Sequence, residues 1–144
     1  MKRLAMDNSE ITKLFIKLNI YLYNFHTLHW FVKDLNFDEL HELMNEYYDK
    51  IFDDIDTVAE YMISQNINVP NLREIADSEY DLLDTNVDYN EETLNNFIIN
   101  YFNSILDTIN NCYDEVVNPG FKSELDAMYY YYDKEVNYKA RRRK

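Results

Sequence analysis

A single glycine and two prolines among 144 residues leave this chain few places at which to turn sharply. Sheets and hairpins consume turn residues every few positions, so the sequence is confined to long helices with few connections. The length fits one domain spanning residues 1–144 with a sizeable core. Apolar residues make up 47% of the chain, which excludes a disordered polymer.

Apolar spacing then marks the helices. Asp7 with Glu10 reads as a capping box opening a first helix. Ile11, Leu14, Phe15, Leu18, Leu22, Phe25, Leu28 and Val32 continue it at helical period to about residue 33. Lys33-Asp34-Leu35 is the connection, and Asn36 with Glu39 is the cap-like start of a second helix. Its inner face is Leu40, Leu43, Tyr47, Ile51, Ile55, Val58 and Met62, ending near Asn66. Residues 67–90 are irregular, interrupted by Pro70, with a short helical segment expected around Leu72, Ile75 and Ala76. A linker of that length suits a crossover travelling the length of a bundle. A third long helix begins after Asn90, presents Leu94, Ile98, Tyr101, Ile105, Ile109 and Cys112 inward, and stops at Asn118-Pro119-Gly120. A fourth is expected over residues 121–139, with Leu125, Met128, Tyr129, Tyr132 and Val136 facing in. The expected fold is all-α: a four-helix bundle of up-down-down-up order, ending in a mobile basic tail at residues 140–144.

The formal net charge of -13 repels nucleic acid except through a local basic patch, and attracts cations. One cysteine, Cys112, excludes an internal disulfide and a cysteine-rich zinc site, and its register places it in the core. No apolar run reaches the length of about 18 residues that marks a membrane span. Lys2 and Arg3 are followed by Asp7, Asn8, Ser9 and Glu10 where a secretion signal needs its apolar stretch. The expected compartment is a reducing cytoplasm.

Two features carry chemistry. Glu42, Glu46, Asp49, Asp53, Asp56 and Glu60 step by fours and threes along the second helix, so they share one stripe. Exposed helices ordinarily interleave charges of both signs, yet Lys50 is the sole Lys or Arg between residues 34 and 72. Bound cations would relieve that repulsion. The second feature is the histidines. His29 lies near the end of the first helix and His41 near the start of the second, so a hairpin brings them to one end. Imidazole suits iron and zinc, whereas a lone helical histidine is ordinarily a hydrogen-bonded core or surface residue. His41 and Asp56 are fifteen residues apart, roughly 22 Å along a helix. Histidines and carboxylates that share a site must therefore come from different subunits, as two hairpins paired about a two-fold axis would arrange.

The segment NFHTLHWFVKDLNFDELHELMNEYYDKIFDDIDTVAE, Asn24 to Glu60, resembles the Dps family of mini-ferritins. The likeness rests on a histidine followed by tryptophan, then Val-Lys, an Asn-Phe segment, Leu-His-Glu and a final Asp-x-x-x-Glu, with the family's spacings of 12 and 15 residues. The resemblance implies a ferritin-like bundle assembled as a hollow shell of twelve subunits. It implies an intersubunit ferroxidase site holding iron on His29 and His41 of one subunit and on Asp56 and Glu60 of its neighbour, with Trp30 alongside. It implies oxidation of two ferrous ions per hydrogen peroxide, which suppresses hydroxyl-radical production. Members often carry a further acid four residues after the second histidine; Asn45 stands there, a poorer ligand, and Asp49 one turn on is the candidate to compensate. Glu42, Glu46 and Asp53 are then candidates to nucleate ferric mineral, and Asp114, Glu124 and Asp126 to line a three-fold pore. At the start of a fourth helix, Glu124 and Asp126 would also suit the helix dipole.

Ordinary ferritins and related di-iron bundles use Glu-x-x-His within one chain, which is absent here; Asp38-Glu39-Leu40-His41 is the nearest approach. A second reading is DNA binding through Lys139-Ala140-Arg141-Arg142-Arg143-Lys144, multiplied by many copies in a shell. A third is a helical assembly protein without chemistry. His26 is assigned a supporting or structural place beside His29. The tyrosine run Tyr129 to Tyr132 covers all sides of its helix, which points to burial at subunit contacts.

Overall fold

The computed structural model describes residues 9–144, and among these it is helical without strands. Helix α1 spans Glu10–Phe31, α2 Phe37–Ser64, α3 Leu72–Ala76, α4 Glu91–Cys112 and α5 Pro119–Lys134, the last continuing into a π-helical segment, Glu135–Ala140. Cross-bundle bonds fix the directions. Glu10 lies beside Asn111 and Glu115, Lys17 beside Ser104 and Thr108, and Asn24 beside Tyr101, so α4 runs antiparallel to α1 and parallel to α2. Tyr61 stacks on Phe121 while Tyr47 bonds Glu135, so α5 runs antiparallel to α2. This is the up-down-down-up order of a ferritin-like bundle.

The apolar stripes meet in one core, from Leu14, Leu18, Phe25 and Leu28 of α1 to Ile98, Ile105 and Cys112 of α4 and Leu125 and Met128 of α5. Burial pushes the Cys112 thiol up to about 12, so it is an inert core thiol. No helix among the described residues is long and apolar enough to cross a membrane.

Several boundaries differ from the sequence expectation. Asp7 lies outside the described residues, and α1 is capped by Ser9, whose hydroxyl accepts from the Thr12 amide. Asn36 occupies the cap position of α2 without making the capping bond; its amide instead donates to Glu91. Helix α4 ends at Cys112, and Asn118-Pro119-Gly120 opens the next helix rather than closing this one. Asn118 caps it through the Phe121 amide, and Pro119 takes the first position, where a missing N–H costs nothing. Glu124 and Asp126 therefore fall in its second turn, beyond the end where the helix dipole acts. Of the tyrosine run, Tyr132 is a core residue and Tyr130 stands 69% exposed, so the four do not share one environment. The basic tail begins from an anchored base: Ala140 is buried, and its carbonyl accepts from Asn95.

The crossover, residues 65–90, carries the expected short helix, closed by a capping box between Asn71 and Glu74. Asn24, fully buried in α1, holds the crossover down. Its amide donates to the Asp81 carbonyl at 3.0 Å and the Tyr101 hydroxyl at 3.2 Å, and its carbonyl accepts from the Leu83 amide at 3.0 Å. The far end docks through a bridge between Val32 and Tyr89, and Asp34 ties the α1–α2 turn to the amide of Glu91. We expect Asn24→Ala to strand the Leu83 amide and lower stability by about 2–4 kcal/mol. Chemical denaturation with amide exchange at Leu83 checks this; unchanged stability and exchange would contradict it.

Candidate metal centre

The end of the α1–α2 hairpin is built by unpaired backbone groups as much as by side chains. The last carbonyls of a helix lack intrahelical partners. At the end of α1 the Lys33 amide, which would have reached the His29 carbonyl, turns away to the Tyr89 carbonyl at 2.7 Å. The His41 ring takes that place: its Nδ1 bonds the His29 carbonyl at 2.8 Å. The arrangement is reciprocal, because His29 Nδ1 bonds the His41 carbonyl, also at 2.8 Å. The two rings stack with centroids 3.6 Å apart and planes 19° off parallel.

A carbonyl oxygen only accepts, so in both rings Nδ1 carries the hydrogen. In a neutral imidazole the other nitrogen, Nε2, then keeps its lone pair. Both histidines are half-buried, and the bonds fix ring orientation together with tautomer. This is the support that metal-binding histidines characteristically receive.

Aromatic rings surround the pair. Phe37 stacks on His41 at 5.0 Å. His26 lies 6.1 Å from His29 and packs on Trp30 at 4.0 Å and Tyr48 at 4.5 Å. Burial, and secondarily the neighbouring His29, hold His26 below the usual histidine range. Trp30 is 55% exposed and Phe52 49%, so these rings form an aromatic band open to the outside of the hairpin.

The carboxylates lie elsewhere. Glu42, Glu46, Asp49, Asp53, Asp56 and Glu60 are all exposed along α2, and none takes part in an ion pair among the described residues. Asn45 is half-buried, one turn from His41. Among the described residues no three His, Cys, Asp or Glu side chains converge within one subunit. The structure thus brings His29 and His41 together and leaves Asp56 and Glu60 about four and five helical turns from His41. Asp114, Glu124 and Asp126 are exposed near the α4–α5 turn, with Asp126 accepting from the Tyr113 hydroxyl at 2.5 Å.

The sequence reading missed Asp54 and Glu135, both buried. Asp54 pairs with Lys50 at 2.9 Å and accepts from Tyr132; Glu135 pairs with Lys139 at 2.8 Å and accepts from Tyr47. A signal existed: position 54 falls three after Ile51 and four before Val58, on the apolar register of α2.

Comparison with known proteins agrees with this architecture. Residues 10–116 match the ferritin-like domain family. The "DNA protection during starvation protein" of Listeria innocua is 34% identical over 62 residues, 40% of each chain. Antigen TpF1 of Treponema pallidum is 29% identical over 69 residues, 48% of this chain and 35% of that protein. The matched segment thus spans well under half the length of these curated relatives. The crystal structure of Helicobacter cinaedi CAIP superposes with a TM-score of 0.69 over 92% of this chain and 90% of that one at 14% identity, which shows a common fold. The family match runs from α1 through α4 and agrees with the bundle order, and the chain belongs to the ferritin-like domain family.

Proposed function

We propose that this protein is a ferroxidase mini-ferritin that oxidises ferrous iron with hydrogen peroxide at sites shared between subunits and stores the ferric product in a hollow shell of twelve copies. The reciprocal His29–His41 pair carries the reading. It prepares two Nε2 lone pairs, and imidazole is a suitable ligand for ferrous iron. In this reading a neighbouring copy supplies Asp56 and Glu60, whose negative charge favours the ferric product over the ferrous substrate. Each hydrogen peroxide accepts two electrons, one from each of two ferrous ions, and is reduced to water without releasing a hydroxyl radical.

The neighbouring copy also accounts for the aromatic band. Exposed, contiguous aromatic surface at the mouth of a site marks a contact face. A second hairpin laid antiparallel over Trp30 and Phe52 would cover these rings and bring carboxylates to histidines twice, once at each end. Asn45 and Asp49 flank the position of a second iron, where the Asn45 amide is the weaker ligand. Glu42, Glu46 and Asp53 are assigned to mineral nucleation, and Asp114, Glu124 and Asp126 to a pore admitting iron; all six are exposed, as those roles require. The reading places the protein in a reducing cytoplasm, where ferrous iron persists.

Anaerobic ferrous loading followed by hydrogen peroxide, read by ferric absorbance, tests the proposal. His41→Ala and Asp56→Ala, each in protein that still assembles, are expected to slow oxidation by about 10–100-fold. Equal rates in wild type and both variants would leave a helical shell without this chemistry.

A second reading has its own observation: Arg141 to Lys144 are exposed beyond the anchored Ala140, and the Listeria relative is named for DNA protection. Phosphate binding by such a tail weakens steeply with salt. Wild type is expected to retard DNA on a gel at low salt, and removal of residues 141–144 to abolish the shift. No shift at low salt would remove DNA from the account.

A further inference from the structure

The core holds two phenol–carboxylate pairs that the proposed iron site does not use. Tyr132 of α5 donates to Asp54 Oδ2 of α2 at 2.5 Å, and Tyr47 of α2 donates to Glu135 Oε1 of the π-helical segment at 2.8 Å. Both tyrosines are 0% exposed, and Asp54 and Glu135 only 4% and 3%. Lys50 and Lys139 hold the two carboxylates in ion pairs. Phe102 stands between the phenols, its ring 4.9 Å from each, and Phe25, next in the chain to His26, lies 5.3 Å from Tyr47.

A buried phenol needs a hydrogen-bond acceptor in any case. A neutral amide or carbonyl would serve with far less desolvation than an ionised carboxylate. Two carboxylates at two phenols therefore exceed what packing asks. A phenol also gives up an electron more readily when its proton can leave at the same time, and in a dry core only a hydrogen-bonded base can receive that proton. Burial raises Tyr47 and Tyr132 above the ordinary phenol range, so their protons do not leave on their own. Burial also raises Asp54, partly offset by its bonds to Tyr132 and Lys50, so it is a stronger base than an ordinary aspartate. The π-helical geometry, common at functional positions, begins at Glu135.

We propose that Tyr47–Glu135 and Tyr132–Asp54 form a redox-active pair that absorbs one-electron oxidants escaping the iron site; it rests on the ferroxidase reading for the source of those oxidants. The oxidant is of the hydroxyl-radical class, formed where peroxide meets a single ferrous ion. It gains one electron and becomes hydroxide. Tyr132 loses that electron and passes its phenolic proton to Asp54, leaving a neutral tyrosyl radical beside a carboxylic acid. A further ferrous ion returns the electron, becoming ferric, and the proton goes back to the phenol. Tyr47 and Glu135 work in the same way, with Phe102 between the two.

Rapid-freeze electron paramagnetic resonance on the assembled protein tests this in two arms: ferrous loading with hydrogen peroxide, and iron-free protein with photogenerated tris(bipyridine)ruthenium(III). The expected result is a tyrosyl signal whose relaxation is indifferent to a soluble chromium complex, because both rings are buried. The signal should fall several-fold in Tyr47→Phe/Tyr132→Phe and in Asp54→Asn/Glu135→Gln, and persist in Tyr130→Phe. A wild-type yield in the double Phe variant, or a signal relaxed by the aqueous probe, overturns the proposal. The probe result stands on wild type alone if the variants fail to fold. A buried signal with ruthenium but none with iron and peroxide means that no oxidant reaches the pair from the iron site, and overturns the proposed role while leaving the ferroxidase reading to its own rate measurement. No buried signal in either arm overturns the pair.

Discussion

An α-helix rises about 1.5 Å per residue, and α2 runs unbroken for 28 residues. That rigidity separates the histidine end of the hairpin from Asp56 and Glu60. No side-chain motion spans the gap, since even long side chains reach only a few ångströms from the helix axis. The proposed chemistry therefore depends on association: a subunit offers half of one site and half of another, and antiparallel pairing completes both. The aromatic band around Trp30 and Phe52 has the exposure that such a contact would bury.

The half-site is nonetheless prepared within one chain. Redirecting the Lys33 amide to Tyr89 frees the His29 carbonyl, and the crossover that presents Tyr89 is pinned by Asn24. Local irregularity at the end of α1 thus becomes the support for a ring. Asp34 contributes at the same end, its carboxyl held below the usual range by the amides of Asn36 and Glu91. Fixed tautomers and fixed ring planes mean that little ordering is left for the moment of binding.

The helices and the histidine pair were legible in the sequence because both depend on short-range regularities: apolar period, a three-residue connection and a twelve-residue spacing. The core position of Cys112 followed from the same period. What escaped depends on tertiary contact. Asp54 sits in apolar register beside the acidic stripe, and its burial has a partner only once Tyr132 approaches from another helix. The π-helical segment has no signature in its own residues; it begins at Glu135, whose carboxylate meets Tyr47 only in the folded chain. Asn118-Pro119 is ambiguous by nature, since the same pair stops one helix and starts another. Whether Asp56 and Glu60 meet the histidines is a property of the assembly, beyond what one chain displays.

The sharing of the site is the central claim, and subunit mixing tests it most directly. His41→Ala and Asp56→Ala, each strongly slowed as a pure assembly, are dissociated, mixed in equal amounts and reassembled, and peroxide-driven ferrous oxidation is measured. A dimer containing one of each holds one doubly broken site and one intact site. Random pairing across a two-fold axis therefore restores about one quarter of the wild-type rate. A mixture as slow as its two components, in shells shown to contain both subunits, would contradict the shared site.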